Sequence, residues 1–303
     1  MTLLAILLVV ISAFMHAGWN LLSKSQRPST GFFLVASISG AVMLSPSLIM
    51  YHDTVAHCIP TRVWVLLLAT GFFMALYYAC LAGAYRAGDM SVAYPLARSS
   101  PVIVVAIVTL MLGRSDQVSG LCFAGIILIV GGCFLIPLHR FGDIHLRNYM
   151  NATCGLALLA AIGTSGYSII DDEALRQLRT NTQLTIGNTQ ATLLYACLEA
   201  LSASMWLAIF IAFRRKSRAS LREVLQTNRN RAVLTGVAIF LTYALVLISL
   251  AFVTNVSYVV GFRQLSIPLG TIAGILVLKE APNAPKLTGV AIMCVGLILL
   301  AIG

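Results

Sequence analysis

Residues 13–20 read AFMHAGWN, and residues 161–168 read AIGTSGYS. When the two stretches are superposed, 148 residues apart, alanine falls on alanine, glycine on glycine and one aromatic residue on another. A second pair of stretches is also similar, although its members are further apart in the sequence: VAYPLARSSP at 92–101 resembles VVGFRQLSIP at 259–268. The chain therefore contains an internal repeat, and the nature of the fold depends on how its two halves are related.

The composition places both halves in a lipid bilayer. Of the 303 residues, 59% are apolar and only 10% are charged, whereas soluble domains carry about 25% charged residues. The mean hydropathy of +0.92 excludes soluble, disordered and disulfide-rich proteins. The seven cysteines form no CxxC pair, so we expect no zinc site, no other metal and no cofactor.

Charged and turn residues divide the chain into ten apolar spans. Each is about long enough to cross the bilayer as a helix of roughly 20 residues, and the alternating strands of a membrane β-barrel are absent. Only helices satisfy the backbone of such spans in lipid. The predicted fold is an all-α polytopic membrane protein with ten transmembrane helices. The spans run over residues 2–23, 30–50, 62–84, 90–112, 117–138, 150–170, 190–213, 231–253, 256–278 and 284–302.

The number of spans in each half decides the orientation of the halves. Five is odd, so the second half must enter the membrane from the side opposite to the first. We therefore predict two inverted five-helix repeats, over residues 1–140 and 141–303. Inverted repeats are typical of secondary transporters, which bind their substrate near the bilayer midplane where the repeats meet.

Three stretches carry a resemblance to a known family: HAGWNLLSK at 16–24, RAGDMSVAYP at 86–95, and residues 266–280, which end in Lys279-Glu280. The chain resembles the drug/metabolite transporter superfamily, in its ten-helix EamA-type branch. The resemblance covers essentially the whole chain and implies a carrier. One departure is Gly113-Arg114, where the family commonly has Gly-Glu.

Two arguments about orientation disagree. The resemblance implies that both termini lie in the cytoplasm. The loops of one side carry 14 lysines and arginines, seven of them between residues 214 and 231, and those of the other side carry four. Because basic loops stay in the cytoplasm, this count favours termini outside the cytoplasm, and both orientations remain open.

Ionisable residues inside the spans are the first candidates for a substrate site, because each costs at least ~2.5–3.5 kcal/mol near the bilayer centre. Arg98 and Arg263 lie at matching depths in spans four and nine. A guanidinium offers a fork of donors suited to a carboxylate or phosphate, so we predict that at least one arginine contacts an anionic group of the substrate. The alternatives are snorkelling to the interface and pairing with Glu199.

Two other ionisable residues are candidates for coupling transport to a proton or for gating. His16 titrates near neutral pH, and Glu199 could carry a proton. In the small multidrug exporters that the superfamily resemblance brings in, an essential glutamate precedes a lysine by eight residues, as His16 precedes Lys24 here. The alternatives are a packing histidine and, for Glu199, an interhelical pair.

Prolines follow both arginines in the sequence. Because proline lacks an N–H, Pro101 and Pro268 are predicted to break their helices and to free the carbonyl groups of Ala97 and Gln264. Opened backbone at this depth would face protein or a wet cavity. A plain kink is the alternative.

Aromatic and amide side chains complete the predicted substrate site. Tyrosine and tryptophan combine an apolar body with one polar group, although each could instead serve packing or an interfacial belt. The predicted substrate-binding residues besides the arginines are Trp19, Asn20, Tyr78, Tyr94, Tyr167, Tyr243, Tyr258 and Gln264.

Two clusters of polar residues lie outside this predicted site. Residues 171–173, with the sequence DDE, are interpreted as a solvated cap at the end of span six. His52, Asp53, His57 and Cys58 could form a metal or enzyme site in a loop, but their spacing fits no standard metal site.

The sequence therefore predicts a secondary transporter with no catalytic residues. We expect it to move an amino-acid-like or other anionic or zwitterionic solute across the bacterial inner membrane by alternating access, as an exporter. The expected partners are the small-molecule substrate, the lipid bilayer and a proton, with a monomeric or homodimeric protein and no nucleic acid. The alternatives are an exporter of amphipathic cations or drugs, and a lipid-flipping subunit or membrane enzyme of envelope biosynthesis.

Overall fold

The structure is a computed structural model that describes residues 3–26, 28–98, 120–142, 149–184, 186–250 and 263–302. All regular secondary structure of these residues is helical. The helices are α1 (Leu3–Ser25), α2 (Thr30–Met50), α3 (His52–His57), α4 (Thr61–Ala87), α5 (90–98), α6 (Gly120–Leu135), α7 (Ala152–Thr180), α8 (Asn188–Ala212), α9 (Arg215–Glu223), α10 (Arg229–Leu250), α11 (Ser266–Val277) and α12 (Ala284–Ile302).

The described helices have the length and surface of a membrane bundle. Five of them, namely α1, α2, α4, α7 and α8, are long and apolar enough to cross a bilayer. Large apolar side chains such as Phe14, Phe134 and Leu276 are more than half exposed, as expected of a surface that contacts lipid rather than water. The chain is a multi-pass membrane protein.

Two predicted boundaries are wrong. Helix α7 continues to Thr180, ten residues beyond the predicted end of span six, because Asp171 packs inside the bundle and good helix formers follow it. The connection at 214–230, expected as a loop, contains α9 and one π-helical turn at Val224–Asn228. Leu221 of this segment packs against Gly31 of α2, which gives a short basic helix a docking point.

The helices of the two halves pack mainly against each other. Helix α4 packs along α7, and α1 packs along α10. Helix α2 lies against both α8 and α10, while α8 also contacts α4. Close backbone approach makes this packing possible: a Cβ atom at Gly163 of α7 would stand 2.8 Å from the carbonyl oxygen of Phe73 in α4.

Helices α6 and α12 pack against each other at glycine residues. A Cβ atom at Gly132 would lie 2.5 Å from the carbonyl oxygen of Gly289, and one at Gly289 would lie 2.6 Å from that of Gly132. Seven residues away on each helix, Gly296 stands in the same relation to Gly125, at 2.7 Å. Small residues at such spacing allow helices to approach closely where the hydrophobic effect cannot drive their association.

Candidate functional site

A hydrogen-bonded group on α1 forms one wall of the candidate site. The Nδ2 atom of Asn20 donates to the carbonyl oxygen of His16 at 2.8 Å, and the Tyr85 hydroxyl donates to Asn20 Oδ1 at 2.6 Å. Trp19 Nε1 donates to His16 Nδ1 at 3.4 Å. Because an indole N–H can only donate, Nδ1 is the acceptor and neutral His16 carries its proton on Nε2. That buried Nε2 atom has no hydrogen-bond partner among the described residues.

The two predicted arginines lie together beside this group. Arg98, the last described residue of α5, is 7% exposed, and Arg263 is half-buried. The two guanidinium groups are close enough to interact electrostatically with each other and with His16. Neither forms a salt bridge with an acidic residue of the described ranges, and Arg98 Nε has no hydrogen-bond partner there. A group of positive charge therefore lies inside the bundle without a described counter-ion.

Aromatic side chains surround the arginines. Tyr94 lies beside Arg98, and its ring packs onto Gly270 of α11. Tyr167 and Tyr243 lie within electrostatic reach of Arg263. The rings of Tyr77 and Tyr167 are 6.0 Å apart between centroids. These contacts bring residues from both halves of the chain into one region.

The remaining predicted residues are distributed around the same region or lie outside the described part of the chain. Tyr78 stacks on Phe33 with centroids 5.0 Å apart. Gln264 is buried, and its Oε1 atom has no partner among the described residues. Pro101 and Tyr258 lie outside the described residues.

The helix break near Arg263 differs from the predicted one. Residues 264–265 form a turn, and α11 begins at Ser266, so Pro268 lies in the first helical turn, where an absent N–H costs no helical hydrogen bond. The Gln264 carbonyl is not free, because it accepts a hydrogen bond from the N–H of Ile267 at 2.8 Å. The chain is interrupted beside Arg263, but the prediction of a freed carbonyl at Gln264 is wrong.

Asp171 is a buried residue that the sequence interpretation assigned to a solvated cap. It is 6% exposed, and its Oδ1 atom accepts hydrogen bonds from Thr70 Oγ1 at 2.6 Å and from the Tyr195 hydroxyl at 2.7 Å. Glu199 is 2% exposed and lies four residues after Tyr195, on the same face of α8, which places its carboxyl group beside that of Asp171. Glu199 therefore takes part in an interhelical pair with an acid rather than with an arginine.

One sequence pattern could have indicated this pair. Tyr167 precedes Asp171 by four residues, and Tyr195 precedes Glu199 by four residues, so each acid shares a helix face with a tyrosine. The third member of the acidic triplet, Glu173, does lie near the surface and pairs with Arg62 and Arg176.

A polar network joins the two halves at the end of the bundle where α4 ends and α5 begins. The carboxylate of Glu280 accepts hydrogen bonds from the N–H groups of Met90, at 2.7 Å, and Ser91, at 2.8 Å, which caps the positive end of α5. Lys286, only 2% exposed, donates to Ser91 Oγ at 2.8 Å and lies 3.7 Å from Asp89. Lys24 donates to the carbonyl groups of Tyr85 and Gly88. We call these contacts the end network.

Comparison with known proteins finds a family match for the first part of the chain. Residues 3–138 match the EamA-like transporter family. The match runs from α1 to the end of α6 and confirms the predicted resemblance for this part of the chain. Over this range the chain is similar to membrane transporters of the drug/metabolite type. A comparison with curated proteins finds no match.

In the end network, Met90 and Ser91 lie within the matched range, whereas Glu280 and Lys286 lie beyond it. Replacing Glu280 by glutamine should lower the free energy of unfolding by about 1–3 kcal/mol, because a glutamine offers one neutral acceptor in place of a carboxylate that holds two N–H groups. The measurement is the thermal denaturation of the purified protein in detergent. Glu223→Gln, at an exposed position of α9, is the control, and equal melting temperatures for the two variants would contradict the capping role.

Two other places in the described part of the chain do not combine the polar and buried groups of a substrate site. His52 and Asp53 form an exposed pair at 3.3 Å in α3, and no cluster of three or more potential metal ligands occurs among the described residues. A small pocket near the α7–α8 connection is lined by apolar side chains and Tyr195. The arginine region remains the candidate functional site.

Proposed function

We propose that this protein is a secondary transporter that exports an amino-acid-like or other anionic or zwitterionic solute across the bacterial inner membrane. The observation that carries the proposal is the pair of arginines, Arg98 and Arg263. Two neighbouring cations in a low-dielectric interior repel each other, and burial without a counter-ion is costly. A carboxylate or phosphate group of the substrate would supply that counter-charge through forked hydrogen bonds.

The roles of the other residues follow from their contacts. Trp19, Tyr78, Tyr94, Tyr167 and Tyr243 would enclose the apolar part of the substrate. His16 Nε2 and the amide oxygen of Gln264, which has no partner among the described residues, would bind its polar groups. The charge of the substrate would also act on the His16 ring. Asn20, whose amide bonds to His16 and Tyr85, would hold this wall in place. Pro101 and Tyr258 belong to the same proposal on the basis of the sequence.

The helix packing supports an inverted repeat of residues 1–140 and 141–303. Helices α1, α2, α4, α5 and α6 would correspond to α7, α8, α10, the α11 span and α12. A two-fold axis in the membrane plane would then exchange the α1–α10 pair with the α7–α4 pair. It would also exchange α4–α8 with α10–α2, and would map α2–α8 and α6–α12 onto themselves. All of these pairs are in contact.

The end network supports alternating access. Arg98 lies eight residues after Met90, which is about 12 Å along the helix, so the network seals the bundle on one side of the arginines. Its bonds cross from Glu280 and Lys286 of the second half to the start of α5 in the first. In this proposal the network breaks when the site opens toward that side, and the substrate exchanges there.

A ligand screen on the purified protein tests the proposal. The probes are L-serine, L-glutamate, citrate and inorganic phosphate, with tetraphenylphosphonium as the cationic probe. A ligand that binds the native state raises the melting temperature, by a stabilisation of about 2.7 kcal/mol at 100 times its Kd. We expect at least one anionic or zwitterionic probe to do so. Stabilisation by the cation alone would overturn the proposal in favour of a drug exporter.

A further inference from the structure

We propose that Asp171 and Glu199 form a proton-binding site within the membrane, which holds one proton between two carboxyl groups and exchanges it with water. Its use as the coupling site of transport rests on the proposed function, but the proton site itself does not. The observation behind it is the meeting of the two acids of α7 and α8 away from the arginines.

The two acids lie at a common depth. Asp171 precedes the end of α7 by nine residues, about 13 Å, and Glu199 follows the start of α8 by eleven, about 16 Å. Thr70, which donates to Asp171, lies about 13 Å from the start of α4. These helix ends lie together, because Asn181 Nδ2 donates to the carbonyl oxygen of Cys58 at 2.7 Å. The pair therefore lies more than two helical turns inside the ends of the helices that hold it.

The proximity of the two acids requires a proton at this site. Two adjacent negative charges are strongly disfavoured in a low-dielectric interior. Asp171 already accepts bonds from Thr70 and Tyr195, which stabilises negative charge on its own carboxylate. Glu199 therefore holds the proton and donates it to Asp171. The buried Oε1 atom of Glu199 has no partner among the described residues.

Among the described residues, no basic side chain (lysine, arginine or histidine) pairs with either acid in a salt bridge. The titratable groups that face the pair are tyrosines, namely Tyr195 of α8, Tyr167 of α7, Tyr243 of α10 and Tyr78 of α4. Proton release would leave two neighbouring carboxylates, so it becomes favourable only when the site opens to water.

Two tyrosines link this site to the arginines. Tyr167 and Tyr243 lie within electrostatic reach of both Arg263 and the acidic pair. An anionic group at the arginines and a proton at the acids carry opposite charges, and both act on the same two hydroxyl groups. Binding or release of the substrate anion would therefore change the affinity of the acidic pair for its proton, and the reverse. Such a dependence is required of a proton-coupled carrier.

Infrared spectroscopy of the purified protein tests the proton site without any substrate. At neutral pH the wild-type protein should show the carbonyl stretching band of a protonated carboxylic acid, and the band should shift in D2O. Glu199→Gln should abolish the band, while Glu223→Gln, on the exposed α9, should retain it. Tyr195→Phe and Thr70→Val, which remove hydrogen bonds to Asp171, should move the band without abolishing it.

The outcomes separate this proposal from the transport function. Absence of the band in the wild-type protein, or its survival unchanged in Glu199→Gln, would overturn the proton site and leave the arginine site untouched. A wild-type band that does not shift in D2O would overturn exchange with water. If the ligand screen fails while the band behaves as expected, the proton site stands and the substrate proposal falls. Tyr195→Phe keeps the test decisive should Glu199→Gln fail to fold.

Discussion

Replacing Arg98 by alanine should weaken the binding of an anionic or zwitterionic ligand by about 10- to 100-fold. A hydrogen bond to a charged group contributes about 1.5–3 kcal/mol, and 1.4 kcal/mol corresponds to a factor of ten in affinity. The measurement is the ligand-induced rise in melting temperature, titrated with the anionic or zwitterionic probe that stabilises the wild-type protein most strongly.

Three further variants make this prediction specific. Arg98→Lys keeps the charge but loses the fork of donors, so it should retain part of the affinity. Arg263→Ala should resemble Arg98→Ala, since the two guanidinium groups act on the same ligand. Arg222→Ala removes an exposed arginine of α9 and should leave the titration unchanged. An Arg98→Ala protein that binds the probe as tightly as the wild type would rule out the anion site.

Replacing Gly132 by alanine should lower the free energy of unfolding by about 1–3 kcal/mol, the usual cost of overpacking. The new methyl group would stand 2.5 Å from both the Gly289 carbonyl oxygen and Met293 Cγ. The side chain can turn away, but the backbone oxygen can move only if the α6–α12 pair separates. Thermal denaturation in detergent measures the effect.

The neighbouring glycine provides a matched control. Nothing lies within 4 Å of a Cβ atom at Gly131, and alanine is a better helix former than glycine by about 1 kcal/mol. Gly131→Ala should therefore leave the melting temperature unchanged or raise it, in contrast to Gly132→Ala. If the two variants melt together, the glycines do not bring α6 and α12 into close contact.

The membrane location and the helical class could be predicted from the sequence, because apolar spans of sufficient length admit few other structures. The resemblance to EamA-type transporters was carried by short stretches such as RAGDMSVAYP at 86–95, and the family match over 3–138 confirms it. The matching positions of Arg98 and Arg263 in spans four and nine could be read from the sequence. Their role in binding stays a prediction.

The sequence interpretation failed where polarity suggested solvent. Asp171 stands next to two further acids, so composition indicated a helix end, although hydroxyl groups from α4 and α8 bury it. Lys286, one of the 14 basic residues counted for the loops of one side, lies 2% exposed against Ser91. Thr70 lies 101 residues from Asp171 along the chain, and Ser91 lies 195 residues from Lys286.

The amino-acid sequence by itself determined that this chain lies in a bilayer as helices, since lipid offers no partners for an open backbone and short-range hydrophobicity is enough to reveal that. Only the tertiary structure decided which polar groups meet. The pairing of Asp171 with Glu199 and the capping of α5 by Glu280 depend on how helices approach and rotate. That arrangement is set by small residues and side-chain shape across the bundle. A local pattern, such as a tyrosine four residues before an acid, indicates the face of one helix but not the helix that packs against it.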